Sequence, residues 1–266
     1  MNLRGEWSML KQGIKIWSAY RFEFLVMLVS TPLSLFIYYY LWKSIYAYMG
    51  SDLIGGYAFN QMIQYYVLSM MVGFFTWSEV DKWIENDLIH GYMIKGFLKP
   101  LPIISWYMTF EAGINIMNIL TLMLPIFGIS FFLFGLKIIS AFNAISFIIS
   151  LLFAFFIYFG LTYLLGLSAF WLKRIAGLRR VRRVIFGFFS GSLLPLTLFP
   201  EWTQNIMHYL PFEHMKFVPI NIYLGTITRA AVIKALALQL AWVIIIFILI
   251  KIVWTQAYKR FASVGL

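Results

Sequence analysis

Ten acids and three histidines are all the chain has for proton or metal chemistry, so their placement limits what it can catalyse. Four of the acids, Glu79, Asp81, Glu85 and Asp87, crowd into one stretch, "SEVDKWIENDLIHGYMIKGFLKPLPI" (Ser78 to Ile103). A fifth, Glu111, stands with Asn115 and Asn118 at i, i+4 and i+7 on one helical face. Clustered carboxylates suit acid–base work or a divalent cation, yet His90, His208 and His214 are too scattered to complete a metal cage. Cysteine is absent, which excludes thiol nucleophiles, thiolate metal sites and disulfides. The serines of "GFFSGSLLP" lack the G-x-S-x-G elbow, and no G-x-x-x-x-G-K-[ST] phosphate loop occurs. The chain is therefore expected not to be an enzyme, and to bind neither metal nor cofactor itself.

The elements that would carry these residues are set by hydropathy. Hydrophobic residues make up 62% of the 266 positions, charged ones 12%, and the mean hydropathy is +0.84, which fits a polytopic helical membrane protein. Uncharged windows give six spans, near Phe24–Trp42, Tyr57–Trp77, Ile104–Phe134, Phe142–Leu172, Val184–Leu198 and Ala231–Trp254. The fifth is short for a full crossing. With the N-terminus inside, only Lys43, Lys137, Lys216, Arg229 and Lys234 remain outside, so the positive-inside rule puts both termini in the cytoplasm. The net charge of +11 then needs no nucleic acid. The run "KRIAGLRRVRR" (Lys173 to Arg183) is read as a topology-fixing loop touching anionic headgroups. No cleavable signal peptide is expected.

Between the spans lie amphipathic segments. Residues 1–22 form an interfacial helix, with Leu3, Trp7, Leu10, Ile14 and Trp17 on one stripe, serving as an anchor or as a lever into the first span. In the acidic stretch, Val80, Ile84 and Leu88 share one face with Trp83 beside them, and Gly91 is a stop. That helix either docks into a partner's groove or is a solvated connector. The stripe of Glu111, Asn115 and Asn118 is either part of a substrate path or a polar seam between helices. Pro32 and Pro125 are expected to kink their spans.

The segment 195–230 opens on "LLPLTLFPEWTQNIMHYLPFEHMKFVP". Pro195 and Pro200 are expected to end the fifth span early. Trp202, Ile206 and Tyr209 recur at helical steps between Pro200 and Pro211, and a further helix follows Pro219. A chain broken at that depth is expected only where protein or water surrounds it, so the segment reads as a re-entrant helical hairpin.

Six spans with cytoplasmic termini, an N-terminal amphipathic helix, a cytoplasmic helix between spans two and three and a proline-broken hairpin before the last span resemble an ABC-2-type transporter permease. The wording "LLPLTLFPEWTQNIMHYLPFEHMKFVPINIYLG" is similar to that family's outer segment. "IENDLIHGYMIKGFLKPLPI" resembles the loop of one branch through Gly91, Leu98, Lys99, Pro100 and Leu101, although Ile89 and His90 stand where an arginine or acid is common. The resemblance implies an all-α membrane protein whose whole length, 1–266, is one permease domain in the cytoplasmic membrane. It implies a second permease, identical or similar, and two ATP-binding-cassette subunits that hold ATP and magnesium. Export of a hydrophobic, lipid-like or drug-like cargo would follow. The region 79–99 would couple to the ATPase through Val80, Trp83, Ile84, Glu85, Asp87, Leu88 and Gly91. Pro195, Pro200, Trp202, Pro211, Phe212 and Pro219 would shape the outer gate. The alternative, an ion-driven secondary transporter or channel, would be expected to carry more ionisable residues in the bundle or paired broken helices.

Overall fold

The computed structural model describes residues 3–19, 21–97, 102–136 and 139–263, so Leu98, Lys99, Pro100, Leu101 and Lys137 lie outside the described residues. Almost everything described is helix. Four helical stretches are long and apolar enough to cross a membrane: Leu25–Met49, Ile103–Phe134, Ala141–Leu172 and Arg229–Ala262.

Helix α1 (Leu3–Ala19) lies across α6 (Ile103–Asn118) backbone to backbone. A Cβ on Gly13 would stand 2.2 Å from the Phe110 carbonyl oxygen, and one on Gly113 would stand 2.3 Å from that of Leu10. Glycine is needed at both positions because any side chain would force the helices apart. The amphipathic N-terminal segment is thus braced against the bundle, with Met9 buried in the contact.

Helix α2 (Arg21–Met49) carries Pro32 in its interior. The hydroxyls of Thr31 and Ser34 donate back to the carbonyls of Met27 and Ser30, each at 2.8 Å. A glycine pair then turns a two-residue hairpin, β1 (Leu53–Ile54) against β2 (Tyr57–Ala58), with Gly55 and Gly56 at φ 58° and 84°. Positive φ at both central positions is what a tight hairpin demands.

Helix α3 (Phe59–Thr76) is buried on most of its surface, which is why its polar residues are tolerated. The Gln64 amide donates to the Phe134 and Gly135 carbonyls at 2.9 and 3.1 Å, capping the end of α7 (Leu124–Phe134). Between α6 and α7 the chain makes a π turn, Ile119–Met123, directly before Pro125. A proline cannot donate into the ladder, and one turn of wider helix absorbs the mismatch.

Helices α8 (Ala141–Leu167) and α9 (Ala169–Leu172) follow, and α8 packs along α13 (Arg229–Ser263) with Ile246 filling the notch left by Gly160. Helix α10 (Ala176–Phe189) differs from the fifth window. It starts inside the basic run, because two of those arginines have partners within the protein, and it stops before either proline. The break is at Ser190–Gly191, where Gly191 has φ 81° and a Cβ would meet the Tyr65 hydroxyl at 2.6 Å. Two short helices, α11 (Glu201–His208) and α12 (Phe217–Leu224), lead to α13.

Candidate coupling site

The acidic stretch folds as α4 (Val80–Ile89) and α5 (Met93–Phe97). Gly91, at φ 69°, ends α4, and the His90 and Gly91 amides close the last turn onto the Asn86 and Leu88 carbonyls. Val80 and Ile84 are fully buried, but against the chain's own α8. Ile84 and the α4 backbone at Asp81 press on Gly166, whose added Cβ would stand 2.7 Å from the Ile84 side chain and 2.9 Å from the Asp81 Cα. Leu88 and Trp83 are half-buried, and Trp83 meets Phe110 edge-on at 5.3 Å.

The two central acids of α4 do not face solvent. Asp81 and Glu85, one turn apart, both reach α10. Asp81 pairs with Arg182 at 3.1 Å, both buried, and Glu85 pairs with Arg179. Arg182 also donates to the Tyr158 and Thr162 hydroxyls at 3.3 Å, and its guanidinium lies 5.5 Å from the Phe186 ring. Burial pushes the Asp81 carboxyl up more than Arg182 pulls it down. The second Glu85 oxygen accepts the Ile175 amide at 2.8 Å, which places a carboxylate at the N-terminus of α10.

The same device joins α6 to α4. Glu111, fully buried, accepts the Glu79 amide at 3.2 Å, and the Asn115 amide donates to the Trp77 carbonyl at 2.9 Å. Glu111 and Asn115 therefore seal the junction of α3 and α4, and Asn118 is buried on the same face. These are the contacts of a polar seam. At the other end of α4 the Tyr107 hydroxyl donates to Asp87 at 2.6 Å. Helix α4 is thus fixed to α6 at both ends, to α8 along its middle and to α10 through two ion pairs. Besides Lys82 and Asn86, the exposed residues at and just after its C-terminal end include an apolar rim of Ile89, Tyr92 and Ile94.

The outer set is divided. Pro195, Pro211 and Pro219 are buried, Pro200 and Trp202 are exposed, and Phe212 packs between Phe186 and Phe189 at 5.8 and 5.9 Å. The carbonyls freed between α10 and α11 find tyrosines of α3: Tyr65 donates to Gly191 at 2.7 Å and Tyr66 to Leu193 at 2.9 Å. The Ser190 carbonyl accepts the Phe217 amide, and Tyr57 donates to the Asn221 side chain at 2.7 Å. Irregular backbone inside a bundle requires such partners.

Sequence reasoning missed Arg179, Arg182, Tyr107, Tyr158 and Gly166. One signal was present: acids at i and i+4 on α4 and arginines at i and i+3 in the basic run have matching spacing. Neither segment names the other as its partner.

A family profile described as "ABC-2 family transporter protein" matches residues 32–265, from within α2 to beyond α13. No curated protein and no solved structure matches the chain. With a profile covering α3 to α13 and the whole of the α4 junction, and with four long apolar helices, this multi-pass membrane protein belongs to the ABC-2 transporter family and is a permease.

Proposed function

We propose that this chain is the membrane half of an ATP-driven exporter, and that α4 is where force enters. The observation that carries this reading is the buried carboxylate relay, in which α6 caps α4 through Glu111 and α4 caps α10 through Glu85. A helix tied to three others moves them together or not at all. Closure of a cytoplasmic ATPase pair against the Ile89, Tyr92 and Ile94 rim would shift α4, and with it α10 and the hairpin behind Ser190, between two packings.

In this reading α3 and α10 also cross, giving six spans with both termini cytoplasmic, in the cytoplasmic membrane. The hairpin 195–230 is re-entrant and acts as the outer gate. A second permease, identical or similar, completes the pathway, and two ATPase subunits hold ATP and magnesium. The cargo is hydrophobic or lipid-like.

The test uses the exposed rim, since Asp at Ile84 would break the chain's own core. Purified from its own cells, the wild-type chain should bring an ATPase with it, and Ile89→Asp with Tyr92→Asp should release that ATPase without changing the permease's elution in gel filtration. A chain that carries no ATPase under conditions preserving other complexes would sink the proposal.

A further inference from the structure

A cavity of about 430 Å³ opens between α2, α3, α10 and the turn before α12. Its walls carry two cations, Lys216 and Arg183, together with the hydroxyls of Ser30, Ser34 and Ser192, and none of the described residues that line it is a carboxylate. Lys216 donates to Ser192 at 2.8 Å and reaches this place because Gly73 leaves room: a Cβ there would stand 3.3 Å from its Nζ. Glu213, three residues before Lys216, is bonded to His208 at 2.9 Å. Lys216 is half-buried, and an ammonium partly drawn from water without a counter-charge is stabilised when an anion joins it.

Lys216 counts among the outer charges by sequence alone. The turn after α11 instead carries it beside Gly73, and Thr76 and Trp77, at the last turn of α3, share its cavity. A second cavity of about 320 Å³ shares the walls Thr31 and Met70 with the first and runs along Leu35, Phe36 and Tyr39 of α2 toward Phe134. Its lining is almost wholly apolar. Ligand sites generally combine about 300–1,000 Å³ of mostly apolar space with a few placed polar groups. Here the cationic groups lie at one end and the other end carries none among its described residues.

The geometry points to a binding site for an anionic amphiphile, with a phosphate or carboxylate head held by Lys216, Arg183 and the serines and an alkyl tail in the neighbouring apolar cavity. This assigns the cargo class and so rests on the transport reading, but binding needs neither ATP nor an ATPase. Loss of binding with the ATPase still attached would overturn the site alone, and binding without any ATPase would overturn the transport reading alone.

The experiment is native mass spectrometry of the full chain, released from a non-ionic detergent, titrated with dodecyl phosphate. Inorganic phosphate and dodecyltrimethylammonium serve as controls. We expect one dodecyl phosphate per chain, at least tenfold weaker binding in Lys216→Met, near-wild-type binding in Lys216→Arg, a smaller loss in Arg183→Gln, and no saturable binding of the cationic amphiphile. If Lys216→Met does not fold, protection of Lys216 from acylation by dodecyl phosphate in the wild type is the readout, with at least a fivefold slowing expected. Equal affinity for both amphiphiles, no protection, or full displacement by an equal concentration of inorganic phosphate would each overturn the proposal, the last by showing that the tail contributes nothing.

Discussion

Removing one member of the Asp81–Arg182 pair should cost far more than removing both, and the two single losses should be unequal. Both side chains are buried, at 0% and 5% exposure, so the partner left behind stays out of water. Breaking such a pair typically costs about 3–5 kcal/mol, whereas replacing both members by apolar side chains is often neutral. Asp81→Leu leaves a guanidinium that cannot shed its charge, with the Tyr158 and Thr162 hydroxyls and the Phe186 ring but no counter-charge from Asp81. Arg182→Met leaves a carboxyl that burial already pushes up, and this one can neutralise itself by binding a proton. Asp81→Leu should therefore be the worse variant. For a chain of this size about 2–4 °C of melting temperature corresponds to each kcal/mol, so its loss is on the order of 10 °C. The Asp81→Leu/Arg182→Met double variant should return to within a few degrees of wild type, while Glu79→Ala at the exposed pair with Lys82 should change the melting temperature by at most about 2–4 °C. In Arg182→Met the native carboxyl has a higher pKa than the unfolded one, so stability is fullest below the unfolded pKa and declines as pH rises through the native value. That variant should melt higher at pH 5 than at pH 8, relative to wild type at each pH. Thermal unfolding in detergent at one scan rate reads all of this. Equal single losses, or a double variant no better than Asp81→Leu, would refute the reasoning.

Two further perturbations probe the bracing and the break. Gly113→Leu should drive α1 off α6, because the first added carbon already meets the Leu10 carbonyl, and limited proteolysis should then cut within residues 3–19 at least tenfold faster. Tyr65→Phe should leave the buried Gly191 carbonyl without its partner and cost about 1–3 kcal/mol, read as a lower melting temperature with the oligomeric state unchanged.

What the sequence made legible was periodicity and breakage; what it hid was pairing. Helix α11 falls where Trp202, Ile206 and Tyr209 place it, and the stretch ending at Gly91 folds as the helix that Val80, Ile84 and Leu88 predict. The same stripe was misjudged in direction, since an apolar face looks alike whether it meets α8 or a partner. The acids of α4 read as the polar face of a docking or connecting helix and the arginines of α10 as a loop on lipid headgroups, because their partners lie about ninety residues apart in the chain. The end of the fifth helix was assigned to Pro195 and Pro200. Gly191 ends it instead, in a left-handed conformation that a window of hydropathy does not register.

The span count turns on α3 and α10, which are not among the four helical stretches long and apolar enough to cross, and side-specific labelling can settle it because the chain has no cysteine to remove. Burial gives α3 a reason to cross without being very apolar, whereas on α10 only Arg182 is buried. Helix α3 faces protein nearly all round, so Gln64 and its tyrosines never meet lipid, and the inward arginines of α10 are paired. If only the four long stretches crossed, Tyr48, Ile89, Leu178 and Trp202 would all lie on one side. If α3 and α10 cross as well, Ile89 and Leu178 change sides while Tyr48 and Trp202 stay. All four residues are exposed, so single cysteines there should be reachable and should not disturb the core. An impermeant maleimide applied to intact cells should then label Tyr48→Cys and Trp202→Cys at least tenfold faster than Ile89→Cys and Leu178→Cys, with the order reversed in inverted vesicles. Labelling of all four from the same side would remove the six-span topology, and with it the placement of α4 where a cytoplasmic ATPase could reach it.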